Sequence, residues 1–225
     1  MDQKIKTIYN LVEHTNLIKK KYDDFAEFTG ENYNVFKIIG LYSDEVKHSK
    51  FIGNLLNAKA EHGQKDIFLK LFIEEIKEFF RDKTKFENFE TSKSYVITEK
   101  HIGNGFIDIF VTNEKNNIII ENKIWASDQS QQLVRYNLFG KDSPIIYLTL
   151  DGKEPGISSK GNLENEENFI CISYEKHIVN WLEKCVKEMA TKPIIRETLN
   201  QYLHLVKQLT NQTTNIKMSQ EIVIK

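Results

Sequence analysis

The sequence predicts an α/β fold in which a mixed central sheet lies between helical layers. Three observations carry that prediction. Residues 105–112 (GFIDIFVT) and 117–123 (NIIIENK) are apolar on both faces, so each needs cover on two sides. A short polar stretch, Asn113-Glu114-Lys115-Asn116, separates them and suits a hairpin. Two later runs, PIIYLTL (144–150) and FICIS (169–173), also read as strands and are separated by a polar segment.

The elements follow in order. Residues 1–28 carry Ile5, Ile8, Val12 and Ile18 at roughly helical spacing. Ser43 reads as the N-cap of a helix through about Asn57, with Val46, Phe51, Ile52, Leu55 and Leu56 as its apolar positions. Glu61-His62-Gly63 is a turn, and a broad apolar stripe from Phe68 to Phe80 predicts a helix over 65–82. Residues 94–100, 105–112 and 117–123 are three successive strands, with Gly103-Asn104-Gly105 as the first turn between them. A helix over 128–139 leads to the strand at 144–150. The Gly- and Pro-bearing stretch 151–168 is a loop, the strand at 169–173 follows, and helices cover 174–190 and 193–210. The chain reads as one domain over 1–225, with a core at about 43–175, a helical extension at 1–42 and closing helices at 174–210. From about Asn211 it reads as a tail, poorly ordered or paired with another chain.

Composition excludes several classes. The 225 residues carry 31 Lys and Arg against 32 Asp and Glu, a net charge of −1, so a nucleic-acid contact must come from a local basic face. No apolar run is long enough for a membrane span, and the opening MDQKIKTIYN is not a signal peptide. Cys171 and Cys185 form neither a disulfide framework nor a zinc set and read as buried thiols in a reducing cytoplasm.

Two charges interrupt the apolar strands. Asp108 and Glu121 would each cost several kcal/mol if buried unpaired. With Glu114 and Lys115 at the centre of the hairpin, paired residue numbers sum to 229, which sets Asp108 across from Glu121. Two close carboxylates repel, and a hard cation such as Mg²⁺ or Mn²⁺ between them removes the repulsion. Lys123 shares the strand face of Glu121, while Asn122 points the other way. Acid-x-Lys occurs five times in the chain, but only at Glu121-Asn122-Lys123 does it end an apolar strand with an acid inside the strand before it. The competing reading of these residues is a strand-end salt bridge of Lys123 with Asp108 or Glu121.

GFIDIF (105–110) followed by IIIENK (118–123) resembles the PD-(D/E)XK nuclease superfamily, whose fold is restriction-endonuclease-like. The resemblance covers about residues 43–150 and departs at Ile107, where the pattern's Pro would stand. It implies Asp108 and Glu121 as metal-binding acids and Lys123 as the group that assists the attacking water. Gln132-Leu133-Val134-Arg135-Tyr136 resembles the QxxxY motif of RecB-like members, with Gln132 and Tyr136 sharing a helix face. Arg135 lies about 100° round that helix. Glu45-x-x-His48-Ser49, with Leu55-Leu56-Asn57 and His62-Gly63, is similar to one bacterial branch. Glu45 is then an additional metal ligand or a first-turn acid favoured by the helix dipole, and His48 a packing or hydrogen-bonding residue, with a general base as the alternative. Trp125, close after the Glu-x-Lys motif, reads as core, with stacking on a base as the alternative, and His14, His101, His177 and His204 read as surface or half-buried. The implied activity is Mg-dependent hydrolysis of DNA, with Mn as substitute, no organic cofactor, no membrane partner and a homodimer as a plausible assembly. The alternatives are a non-catalytic binding or scaffold protein and an RNA-directed nuclease.

Overall fold

A computed structural model of the chain describes residues 3–30 and 32–212. The predicted tail beyond them, and the first two residues, lie outside the described residues. Helix α1 (Gln3–Thr29) and the short α2 (Val35–Ile38) lead into α3 (Glu45–Leu56) and α4 (Ile67–Ile76). Strands β1 (Tyr95–His101), β2 (Phe106–Thr112) and β3 (Asn117–Lys123) follow, then α5 (Gln132–Phe139) and β4 (Ile145–Thr149). The short α6 (Ile157–Lys160), β5 (Phe169–Ser173), α7 (Val179–Glu188) and α8 (Pro193–Leu209) complete the described chain.

The sheet order is β1-β2-β3-β4-β5. β1–β2 and β2–β3 are antiparallel, and β3–β4 and β4–β5 are parallel. This is the mixed sheet the sequence predicts. The larger core joins Ile109, Val111, Ile118 and Ile120 of the sheet to α3, α4, α7 and α8 through residues such as Ile52, Phe72, Trp181 and Tyr202. The opposite face joins Phe110, Ile119, Ile145 and Tyr147 to Leu133 and Tyr136 of α5. Successive side chains of a strand point to opposite faces, so β3 sends Ile118 and Ile120 into one layer and Ile119 into the other.

Helix α3 approaches the sheet closely at Gly53. A Cβ there would meet Thr98 Cγ2 at 2.9 Å and Val96 Cγ1 at 3.2 Å, so only glycine allows this packing. Its N-cap is Asp44 rather than the predicted Ser43. Asp44 has extended backbone, and its Oδ1 accepts the Lys47 N–H at 3.0 Å. The helix predicted over 65–82 ends at Ile76 and tightens into a 3₁₀ turn, Lys77–Phe79. There the chain turns to bury Phe80, and the Arg81 N–H bonds the Glu166 carbonyl. The helix predicted from 128 begins at Gln132, because Gln131 holds a φ of 56°. The loop 151–168 contains α6, and α7 is preceded by a π turn, Tyr174–Ile178, in place of the predicted first helical turn.

Ile18 is buried, but Ile5, Ile8 and Val12 are exposed on α1. Among the described residues no helix is long and apolar enough to cross a membrane.

Candidate active site

The β2–β3 hairpin has the predicted register. Thr112 pairs with Asn117, and the ladder runs to Ile109–Ile120, each pair summing to 229. Asn113 fixes the turn, its Oδ1 accepting the N–H groups of Lys115 and Asn116. One step further the ladder stops, and Asp108 leaves it. Its Oδ2 accepts the Asn122 N–H at 2.7 Å. On the other side, the β1–β2 ladder has Thr98–Ile109 and Lys100–Ile107 but no Glu99–Asp108 pair, and Glu99 has a φ of 52°. The alternation slips here. Ile107 packs with Phe110 and Ile119, whereas Ile109 packs in the opposite core. Phe106, which regular alternation would set on the face of Phe110, is 57% exposed for the same reason. The irregularity turns the Asp108 carboxyl toward the end of β3, where Glu121 and Lys123 lie.

Glu121 is fully buried. Its Oε1 lies 2.7 Å from Lys123 Nζ and accepts Gln132 Nε2–H at 2.6 Å. The Tyr136 hydroxyl lies 2.5 Å from Glu121 Oε2 and 2.6 Å from the Phe106 carbonyl oxygen, and accepts from Gln132 Nε2 at 3.0 Å. Burial raises the Glu121 carboxyl above the usual range, against the opposing effects of the Lys123 charge and of the hydrogen bonds from Lys123 and Tyr136. Burial and then the Glu121 charge push the Asp108 carboxyl up to about 8. Burial alone would lower the Lys123 ammonium, but the charge and hydrogen bond of Glu121, then Asp108 and Glu45, outweigh it, and the net shift is upward. Lys123 is therefore a held cation and not a proton acceptor.

Glu45 reaches the same place from α3. Its Oε1 accepts the N–H groups of Ile124 and Ala126, each at 2.7 Å, and that of Trp125 between them. The backbone just after Lys123 is thus folded round one carboxylate oxygen. Asn122, on the other strand face, donates to Ser49 Oγ at 3.0 Å and to the Glu45 carbonyl at 3.3 Å, and accepts from Tyr174 at 2.9 Å. That network ties β3 to α3, and the sequence reading passed over it. An amide side chain inside a run of isoleucines was the available signal.

The structure brings Asp108, Glu121, Lys123, Gln132, Tyr136 and Glu45 together. His48 is buried instead against Tyr202 and Tyr174, its Nδ1 2.9 Å from the Tyr202 hydroxyl. Arg135 binds the Ser130 carbonyl and Gln129 Oε1, holding the turn before α5. His177 is buried, not surface or half-buried, because its Nδ1 accepts the Ser173 N–H at 2.9 Å. Cys185 is buried and Cys171 half-buried. Trp125, predicted to be core, is 58% exposed, because the turn held by Glu45 carries it off the sheet. Asp128, also unforeseen, accepts from the Tyr147 hydroxyl at 2.6 Å and the Gly156 N–H at 2.7 Å, fastening the loops beside the site.

A model of the PD-(D/E)XK nuclease superfamily matches residues 33–204. The chain belongs to that superfamily. No curated protein and no solved structure matches it. For a PD-(D/E)XK protein the matched span runs from the start of α2 through most of α8, so it includes the sheet and every residue of the carboxylate cluster. Members of the superfamily are usually nucleases and generally use divalent metals. The α/β restriction-endonuclease-like architecture expected from the sequence is the one observed.

Proposed function

We propose that this PD-(D/E)XK protein is a divalent-metal-dependent nuclease that hydrolyses phosphodiester bonds of DNA. The observation that carries the reading is the junction of Asp108 with Glu121 and Lys123 at the end of β3, where two carboxyls raised by burial meet one ammonium.

The residues fit a metal of the Mg²⁺ type. Among the described residues no three His, Cys, Asp or Glu side chains form a ready cage. Mg²⁺ needs none, because it keeps waters and commonly takes one or two carboxylates plus substrate phosphate. A carboxyl pushed up to about 8 in the metal-free protein lacks a counter-charge, and a cation would supply it. Asp108 and Glu121 would hold it, with Mn²⁺ as a substitute, and Glu45 would add its charge to that shell. When bound, such a cation polarises a phosphate and lowers the pKa of a water.

The chain's own groups do the rest. Lys123 Nζ, kept charged by Glu121, donates to the attacking water and offsets charge that develops on the phosphate. Gln132 and Tyr136 fix the Glu121 carboxylate, so it need not reorganise during the reaction. Purified protein incubated with supercoiled plasmid and with linear DNA, with Mg²⁺ or Mn²⁺, tests this reading. Cleavage that disappears without metal, and in folded Asp108→Ala and Lys123→Ala variants, is the expected result. Undiminished cleavage by Lys123→Ala overturns the mechanism. Cleavage of RNA alone moves the substrate, and no metal binding by calorimetry favours the scaffold reading.

A further inference from the structure

We propose that Trp125 is a stacking platform for an unpaired base, so that the site takes single-stranded DNA, or a strand opened from its partner, in preference to a closed duplex. The inference rests on the nuclease reading of the neighbouring carboxylates and names the form of their substrate.

Trp125 stands two residues beyond Lys123 and is 58% exposed, while Trp181, the other tryptophan of the chain, is fully buried. An exposed indole on a loose loop would be a weak platform, because ordering it on binding costs entropy. This one is not loose. Its own N–H and those of Ile124 and Ala126 all donate to Glu45 Oε1, so α3 fixes the backbone that carries the ring. Trp125 lines a cavity of about 750 Å³ together with Lys123, Thr149, Asp151, Lys153 and Glu175. Such a volume lies within the ~300–1,000 Å³ that suits a small organic ligand. A base stacked on Trp125 would leave its phosphate within reach of the Lys123 end.

The charge of this cavity favours a single strand over a duplex. A closed duplex presents two phosphate backbones and no free base face, and is held by a continuous basic strip. Here the lining carries two lysines, Lys123 and Lys153, and two carboxylates, Asp151 and Glu175. Carboxylates repel phosphates but accept hydrogen bonds from the amino groups of unpaired bases. Aromatic stacking, which every unpaired base can make, supplies the affinity that such a mixed wall lacks.

The two tryptophans make the test direct. In chelating buffer, where no turnover occurs, the wild-type protein is titrated with a short single-stranded oligodeoxynucleotide and with the same strand in a blunt duplex. The expected result is saturable quenching of indole emission by the single strand, with affinity roughly tenfold or more above that for the duplex. Trp125→Phe should lose the quenching while its remaining emission, from buried Trp181, shows an intact core. Trp125→Ala should raise KM for single-stranded substrate roughly tenfold with kcat little changed. No quenching, or equal quenching by the duplex, overturns the platform, as does an unchanged KM in Trp125→Ala. Absence of metal-dependent cleavage by the wild type would instead count against the nuclease reading, and the quenching would still decide on the platform.

Discussion

Asp108 shows how a single residue can be tuned for a ligand at a cost to the metal-free fold. Its carboxyl is half-buried beside the buried Glu121, and ionising both would leave more negative charge than Lys123 cancels. Asparagine has the same shape, keeps an acceptor for the Asn122 N–H, and carries no charge. Asp108→Asn should therefore raise stability in chelating buffer by at least about 1 kcal/mol, or about 2–4 °C in Tm for a chain of this size, while abolishing cleavage. Thermal unfolding with and without Mn²⁺ checks both signs, since the cation should stabilise only the wild type. A lower Tm for the variant would show that Asp108 stabilises the metal-free protein. The same misfit made the site legible in the sequence. Asp108, Glu121 and Lys123 stand out because charge inside an apolar strand needs a partner, and hairpin arithmetic supplied one. Trp125 was misplaced because an isolated aromatic carries no periodic signal. Its exposure is decided by a carboxylate 80 positions earlier in the chain.

At the scale of elements, α3 holds the end of β3 through two devices, the Asn122–Ser49 bond and the Glu45 carboxylate. Glu45→Ala removes the common acceptor of three N–H groups, two of them on exposed residues, and should cost about 1–2 kcal/mol in urea unfolding. Glu45→Gln keeps an acceptor oxygen and should lose less than half of that. Equal losses would show that the charge, and not the acceptor, holds the turn. α3 also carries a pH-dependent cost. Burial pushes the His48 imidazole down to about 4, against the opposing charges of Asp44 and Glu45, while Tyr202 and Tyr174 pack on the ring. Above its unfolded value of about 6.5 the ring is neutral in both states. As pH falls from there toward 4 the unfolded chain takes up the proton first, so stability falls by up to about 3 kcal/mol. His48→Asn, which keeps a polar group near the Tyr202 hydroxyl and does not titrate, should flatten that part of the stability–pH curve. An unchanged slope would assign it to other groups. Element types were legible because the strands are short apolar runs bounded by polar turns and the core helices carry apolar stripes. The ends of α3, α4 and α5 were not, because a cap at Asp44, a backbone bond at Arg81 and a left-handed Gln131 are set by geometry that hydrophobic spacing does not encode.

For the whole molecule, the deciding quantity is charge. The sum is −1, and many lysines are already engaged with acids, among them Lys83 with Glu78, Lys184 with Glu75, and Lys207 with Glu183. Each exposed pair adds little stability, and a net charge of −1 gives no strong global field to draw in a polyanion. The three-layer arrangement was legible, since strands apolar on both faces demanded it. The exposed apolar residues of α1 were not, because amphipathic spacing shows that a helix has an apolar face and not that another element covers it. On the proposed reading, affinity for DNA would therefore arise locally, at the end of β3. If Lys123 and Lys153 are the cations that meet phosphates, counterion release from a single strand gives a slope of about −0.7 per contact. The logarithm of the binding constant should then fall with the logarithm of salt concentration at a slope between about −1 and −2, and Lys153→Ala should reduce it by about half. Stacking on Trp125 is insensitive to salt and would keep binding measurable at high ionic strength. A slope steeper than about −4 would reveal a second basic surface and would reopen a closed duplex as the substrate.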